Sequence, residues 1–205
     1  MMEVGQFEVR RRFELRYEQR FKCWLRKVDS ELAFLPGPEG RSIDWIRDLY
    51  REHGELPASR FALLAFDRKA RTTSGALKCV ADAAGTATRL DIPTTPEFLP
   101  PSADLPMGNV AVAGSAIQSF DRQGVWAEVA DAVQTYVADR HVTVWPLCRT
   151  HGLGLHAVVR GGEAIWWCNG WGHLDCAISP RTTQGKGRGG KWPQARPPEP
   201  GPAHR

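Results

Sequence analysis

Residues 148–173 constrain the chain more than any other segment. They contain Cys148-x2-His151 and, after sixteen intervening residues, Cys168-x4-His173. Zinc takes four thiolate or imidazole donors in a tetrahedron at roughly 2.0–2.3 Å, and two short-spaced pairs supply them with little loop entropy to lose. Gly152 follows the first pair directly, where a metal knuckle turns through a positive φ that glycine adopts most readily. That turn is expected to aim backbone N–H groups at the thiolate.

Between the pairs, Leu153–Arg160 alternates as a strand does, and Gly161-Gly162 suits a tight hairpin turn. Ala164–Trp167 is apolar enough to return, Asn169, Gly170 and Gly172 form a second flexible knuckle, and Leu174–Ile178 provides material for a third strand. Knuckle, strand, turn, strand, knuckle resembles a zinc ribbon over about 35 of the 205 residues. The resemblance implies a structural zinc ion held by Cys148, His151, Cys168 and His173. Ribbons more often use cysteine at all four positions, so histidine as the second member of each pair is a departure. Cys176 competes with His173 for the fourth position, and His156 would serve if the hairpin register shifted. The alternative without metal is a set of buried thiols and surface histidines.

A structural site is filled by protein, whereas a catalytic zinc keeps one position open for water. Four ligands are present, no H-E-x-x-H arrangement occurs, and Glu163 at the hairpin tip is expected to face solvent. No Walker loop, nucleophile elbow or Ser/His/Asp grouping is present, and Cys23 and Cys79 read as core thiols. Gly185–Gly190 matches G-x-G-x-x-G literally, but that motif carries meaning only between a strand and a helix.

The rest of the chain reads as mostly helical. Phe13, Tyr17, Phe21, Trp24 and Val28 favour a helix over about 11–33, supported by a Glu18–Lys22 pair, although residues 7–17 also alternate like a strand. Ser42 is the expected N-cap of a helix over 43–53 that Gly54 stops. A third helix is expected after Pro57, and the Ala-rich residues 69–84 suggest another short one. The pattern over 43–80 partly matches a DNA-binding helix-turn-helix, with Arg68, Lys69 and Arg71 where a third helix could begin. Ordinary packed helices account for it better, because Thr72–Gly75 makes a poor recognition helix. Five prolines within Ile92–Pro106 mark an extended connector. Asn109–Ala113 and Val142–Trp145 read as strands, and Asp121 caps a helix over about 122–139 whose apolar face carries Trp126, Val129, Val133 and Val137.

The expected fold is therefore α+β: a mostly helical part over 1–91, a connector over 92–106, a helix with the small β ribbon packed near it over 107–180, and a disordered basic segment over 181–205. That last segment holds six Lys/Arg against one acid, so its +5 exceeds the net +4 of the whole and leaves 21 basic against 22 acidic residues elsewhere. No run approaches the roughly 18 apolar residues of a membrane span, no secretion signal is visible, and five cysteines, three of them within 148–176, favour metal over disulfides. A cytoplasmic protein follows as the expectation. Four of the eight tryptophans, Trp145, Trp166, Trp167 and Trp171, lie in or beside the ribbon, where docking on helix 122–139 or base stacking would use them. Three functions fit: a non-enzymatic zinc protein contacting nucleic acid or a protein partner through ribbon and basic segment, an enzyme with an N-terminal active site, or an assembly subunit.

Overall fold

A computed structural model of the chain describes residues 3–33, 43–170 and 172–178, with side chains described from residue 11 onward except at Asp175. Ser42, Trp171 and the basic segment 181–205 lie outside the described residues. The fold is α+β, as the periodicities imply. Among the described residues, four helices, α1 (Glu3–Leu32), α2 (Asp44–His53), α3 (Ala58–Thr88) and α4 (Arg122–His141), accompany two three-stranded sheets. One sheet has the order β1 (Glu97–Leu99), β2 (Asn109–Val112), β3 (Ser115–Ala116), and the other β4 (His156–Arg160), β5 (Glu163–Cys168), β6 (His173–Ala177).

The chain divides into two compact units, 1–68 with 99–109 and 69–98 with 110–205. The division falls inside α3, and the proline-rich segment is shared between the units. Residues 69–84 are not a separate helix. No proline interrupts 58–88, and alanine is the strongest helix former, so α3 continues for 31 residues. Gly75 lies within it where an added Cβ would meet nothing within 4 Å. This continuity also removes the third helix expected to begin near Arg68–Arg71, while α2, the turn over 54–57 and α3 remain two helices joined by a short link.

In the first unit, aromatic rings form the core. Phe61 on α3 meets Trp24 of α1 at 5.6 Å and Trp45 of α2 at 5.8 Å between centroids, while Tyr50 packs 5.0 Å from Trp24 and 5.3 Å from Phe21. The second half of the stripe predicted for α1 is buried, with Phe21, Trp24 and Val28 all nearly inaccessible, whereas Tyr17 is half-buried and Phe13 is exposed. The Trp24 indole donates to the Leu56 carbonyl at 2.7 Å. Glu18 pairs with Arg47 on α2, and the Arg47 guanidinium also lies 4.8 Å from the Phe21 ring centre. Cys23 is exposed, contrary to its reading as a core thiol. At position 24 the stripe turns inward, so its neighbour Cys23 falls on the opposite, solvent face. Ile43 occupies the N-cap position of α2 without a side-chain cap. Gly54, at φ 72°, closes the helix by donating to the Tyr50 carbonyl.

In the second unit, the later turns of α3 (Leu77, Val80, Ala84) share a core with α4 (Val125, Val129, Val133) and with Trp145, Leu155 and Trp166. Asp121 caps α4 by accepting from the Gly124 N–H at 2.8 Å. Val142–Trp145 is not a strand. Val142 ends α4 in the left-handed region, which breaks extended geometry at its first residue. Only the isolated bridge Leu147–Gly154 follows before β4. The segment 92–106 is not wholly irregular, because β1 forms within it.

Candidate metal centre

The β4–β5 hairpin sets the frame. Arg160 pairs with Glu163 across Gly161 and Gly162, whose φ values of 57° and 78° are the left-handed pair that a two-residue hairpin turn needs. From that turn the register runs to His156 opposite Trp167. Trp166 consequently faces inward and is fully buried, while Trp167 faces outward with the Arg160 guanidinium 3.7 Å from its ring centre. Glu163 is exposed, as expected.

Two glutamines of α4 tie the hairpin to the helix, and periodicity did not single them out. The Gln134 amide donates to the Trp145 carbonyl at 3.0 Å and the Leu155 carbonyl at 2.6 Å. Gln123 Oε1 accepts the Ala164 N–H at 2.9 Å. The only sequence signal is a polar residue on an otherwise inward-facing helix surface.

The first knuckle spans Cys148–Leu153. The Gly152 N–H donates to the Cys148 carbonyl at 2.8 Å, and the Cys148 N–H donates to the Leu153 carbonyl at 2.7 Å. The knuckle is therefore closed by main-chain bonds, and the Gly152 N–H goes to a carbonyl rather than to the thiolate. Gly152 has φ 67°, as its position required. In the second knuckle, Cys168 ends β5 and His173 begins β6, directly opposite one another in the ladder. A Cβ on Gly170 would sit 2.9 Å from Leu153, 3.4 Å from His151 Nδ1 and 3.5 Å from Cys168 Sγ, so this glycine lets the loop pass against the ligands.

The four predicted ligands converge. Their ligand atoms all lie within 4.8 Å of one another. Cys148 Sγ is 3.5 Å from His151 Nδ1 and 3.5 Å from His173 Nε2, and His151 Nδ1 is 3.4 Å from Cys168 Sγ. A tetrahedron with metal–sulfur bonds of about 2.3 Å and metal–nitrogen bonds of about 2.05 Å has sulfur–nitrogen edges of roughly 3.5 Å. These residues could hold a metal ion with little rearrangement. Both sulfurs are buried and both imidazoles are partly exposed.

The competing donors stay outside the group. Cys176 pairs with Trp166 one bulge further along β6 and packs, half-buried, against the core. His156 is exposed at the start of β4. Among the described residues no carboxylate joins the four. No family model, no curated protein and no solved structure matches the chain. The geometry alone therefore carries the functional argument. No described helix is long and apolar enough to cross a membrane.

Proposed function

We propose that the chain is a non-enzymatic zinc protein whose β4–β6 sheet is a zinc-ribbon module built for macromolecular contact. One observation carries the reading: two cysteine sulfurs and two imidazoles converge within 4.8 Å of one another, and the three sulfur–nitrogen distances Cys148–His151, Cys148–His173 and His151–Cys168 match the edges of a zinc tetrahedron. Two thiolates cancel the ion's charge, and a neutral centre can sit against Trp145, Leu155 and Trp166 without the cost of a buried net charge. With every position filled by protein, no open site remains for a water or a substrate.

Contact is assigned to the outer face of the sheet, where Trp167 lies beneath Arg160. A stacked indole and guanidinium is a combination that single-stranded nucleic acid uses well. The exposed Leu174, in register with Trp167, offers the same face to a protein.

Elemental analysis of purified protein tests the metal. About one zinc per chain is expected, lost in the Cys148→Ser/Cys168→Ser variant, and a folded β4–β6 sheet without metal overturns the proposal. Titration with a fluorescent single-stranded oligonucleotide tests the partner. Binding should weaken with salt and on Trp167→Ala, whereas absence of binding at low salt removes nucleic acid as the partner.

A further inference from the structure

The four proposed ligands are unequal in exposure and in charge. Cys148 and Cys168 are 1% and 0% exposed, whereas His151 and His173 are partly exposed. The centre therefore shows imidazole to solvent and keeps its sulfurs inside. One sulfur comes from each knuckle, and the two lie within 4.8 Å of one another. A disulfide bond of about 2.05 Å asks them to close by less than about 3 Å.

The chemistry of the donors says how the sulfurs react. A thiol that coordinates zinc is deprotonated, and the thiolate is the form that attacks an oxidant. The Gly152 N–H is spent on the Cys148 carbonyl, and the Cys148 N–H on the Leu153 carbonyl. Neither of these donors is left to draw charge from the Cys148 sulfur, and a thiolate that keeps its charge keeps its nucleophilicity.

The two sulfurs are also the only anionic donors of the four. One bond between them removes both at once and leaves two neutral imidazoles, half of the tetrahedron that zinc requires. A centre with four cysteines would keep two thiolates after the same event. Cys176 is not placed to take part, since it sits across from Trp166 beyond the bulge, outside the group of four.

We propose that this centre is a redox switch, in which hydrogen peroxide joins Cys148 to Cys168 as an intramolecular disulfide and zinc is released. The inference rests on the zinc reading and adds its regulation. Peroxide reaches the buried sulfurs when an imidazole on the exposed side lets go of the ion. One thiolate attacks the O–O bond and becomes a sulfenic acid, while the other oxygen leaves and is protonated to water. The second thiolate attacks the sulfenic sulfur, the S–S bond forms, and the departing hydroxide is protonated to a second water. Two thiolates, one peroxide and two protons thus give one disulfide and two waters, with two electrons passing from sulfur to oxygen.

The two states differ in what they hold. The disulfide ties the segment before β4 to the end of β5, so the hairpin that carries Arg160 and Trp167 stays closed. His173, at the start of β6, loses its bond to the ion, and the strand that carries Leu174 loses its anchor at the second knuckle.

Graded hydrogen peroxide on the zinc-loaded, full-length Cys23→Ser protein tests the proposal; Cys23 is exposed and lies in the other unit, where it would otherwise cross-link separate molecules. Zinc release is read with a chromophoric chelator, and the cross-link by mass spectrometry of an unreduced digest. About one zinc should be lost per disulfide formed, through a peptide joining Cys148 to Cys168, and dithiothreitol should restore zinc binding. Cys176→Ser should release zinc at an unchanged rate. Zinc retained through an excess of peroxide overturns the proposal, as does release with a cross-link through Cys176 or with both sulfurs carried on to sulfinic acid. Those results leave the zinc reading standing. A protein that neither carries zinc nor takes it up refutes that reading, and the switch falls with it.

Discussion

The two units solve the same problem by different means. In the first, Phe21, Trp24, Trp45, Tyr50 and Phe61 bury large rings between three helices, and apolar area alone offsets the entropy of ordering them. In the second, Trp145 and Trp166 are as well buried, at 5.5 Å and nearly perpendicular, yet the sheet behind them is a short hairpin with one further strand. A sheet that small is marginal without a staple, and a metal ion held by the four proposed ligands would close both of its loops at once. Rings suffice where long helices present continuous stripes. Where the elements are five or six residues long, a metal ion held by the proposed ligands would supply what area cannot.

The comparison breaks most visibly on removing metal. Chelation, or Cys148→Ser with Cys168→Ser, should forfeit on the order of 10 kcal/mol of binding free energy and unfold 146–178. Circular dichroism and near-ultraviolet tryptophan signals would show β structure lost while the helical signal of the first unit survives; simultaneous loss of both would refute the contrast. Next in size, Phe61→Ala removes a fully buried ring and should destabilise the first unit by about 3–5 kcal/mol in a denaturant titration. Zinc content should be unchanged.

Gln134→Ala leaves the Trp145 and Leu155 carbonyls without their donor and should cost about 1–3 kcal/mol. Zinc retention under a competing chelator should fall with it, because Leu155 follows the first knuckle. The smallest effect concerns Tyr50. Burial, and after it the neighbouring Glu55 carboxylate, raise its pKa above the usual 10.0, with Arg20 opposing. The unfolded chain therefore releases this proton first, so the stabilisation present below about pH 10 is lost as pH climbs through the folded value. Melting between pH 9 and 11 should decline less steeply in Tyr50→Phe, and equal slopes would show that this tyrosine contributes nothing.

Legibility followed the range of the interactions. Gly152, the Gly161-Gly162 turn, Asp121 and the two ligand pairs act within a few residues, so each could be placed from its neighbours. The same local logic misjudged Val142–Trp145, where β-branched residues promised a strand but the left-handed end of α4 breaks the extended path. It also divided α3, because an Ala-rich stretch shows no strong stripe until two different cores take up its two halves. The Gln123 and Gln134 amides reach partners 41 and 21 residues away, and no spacing rule announces that.

For this protein, sequence alone marked the candidate donors, the hairpin between the two pairs and the α+β class, because donor chemistry and turn conformation are properties of short segments. Tertiary structure decided between His173 and Cys176. The β5–β6 register places Cys168 opposite His173, and the bulge beyond it seats Cys176 across from Trp166, outside the group of four. Register depends on how a whole strand packs against its neighbour, and no single residue carries that information.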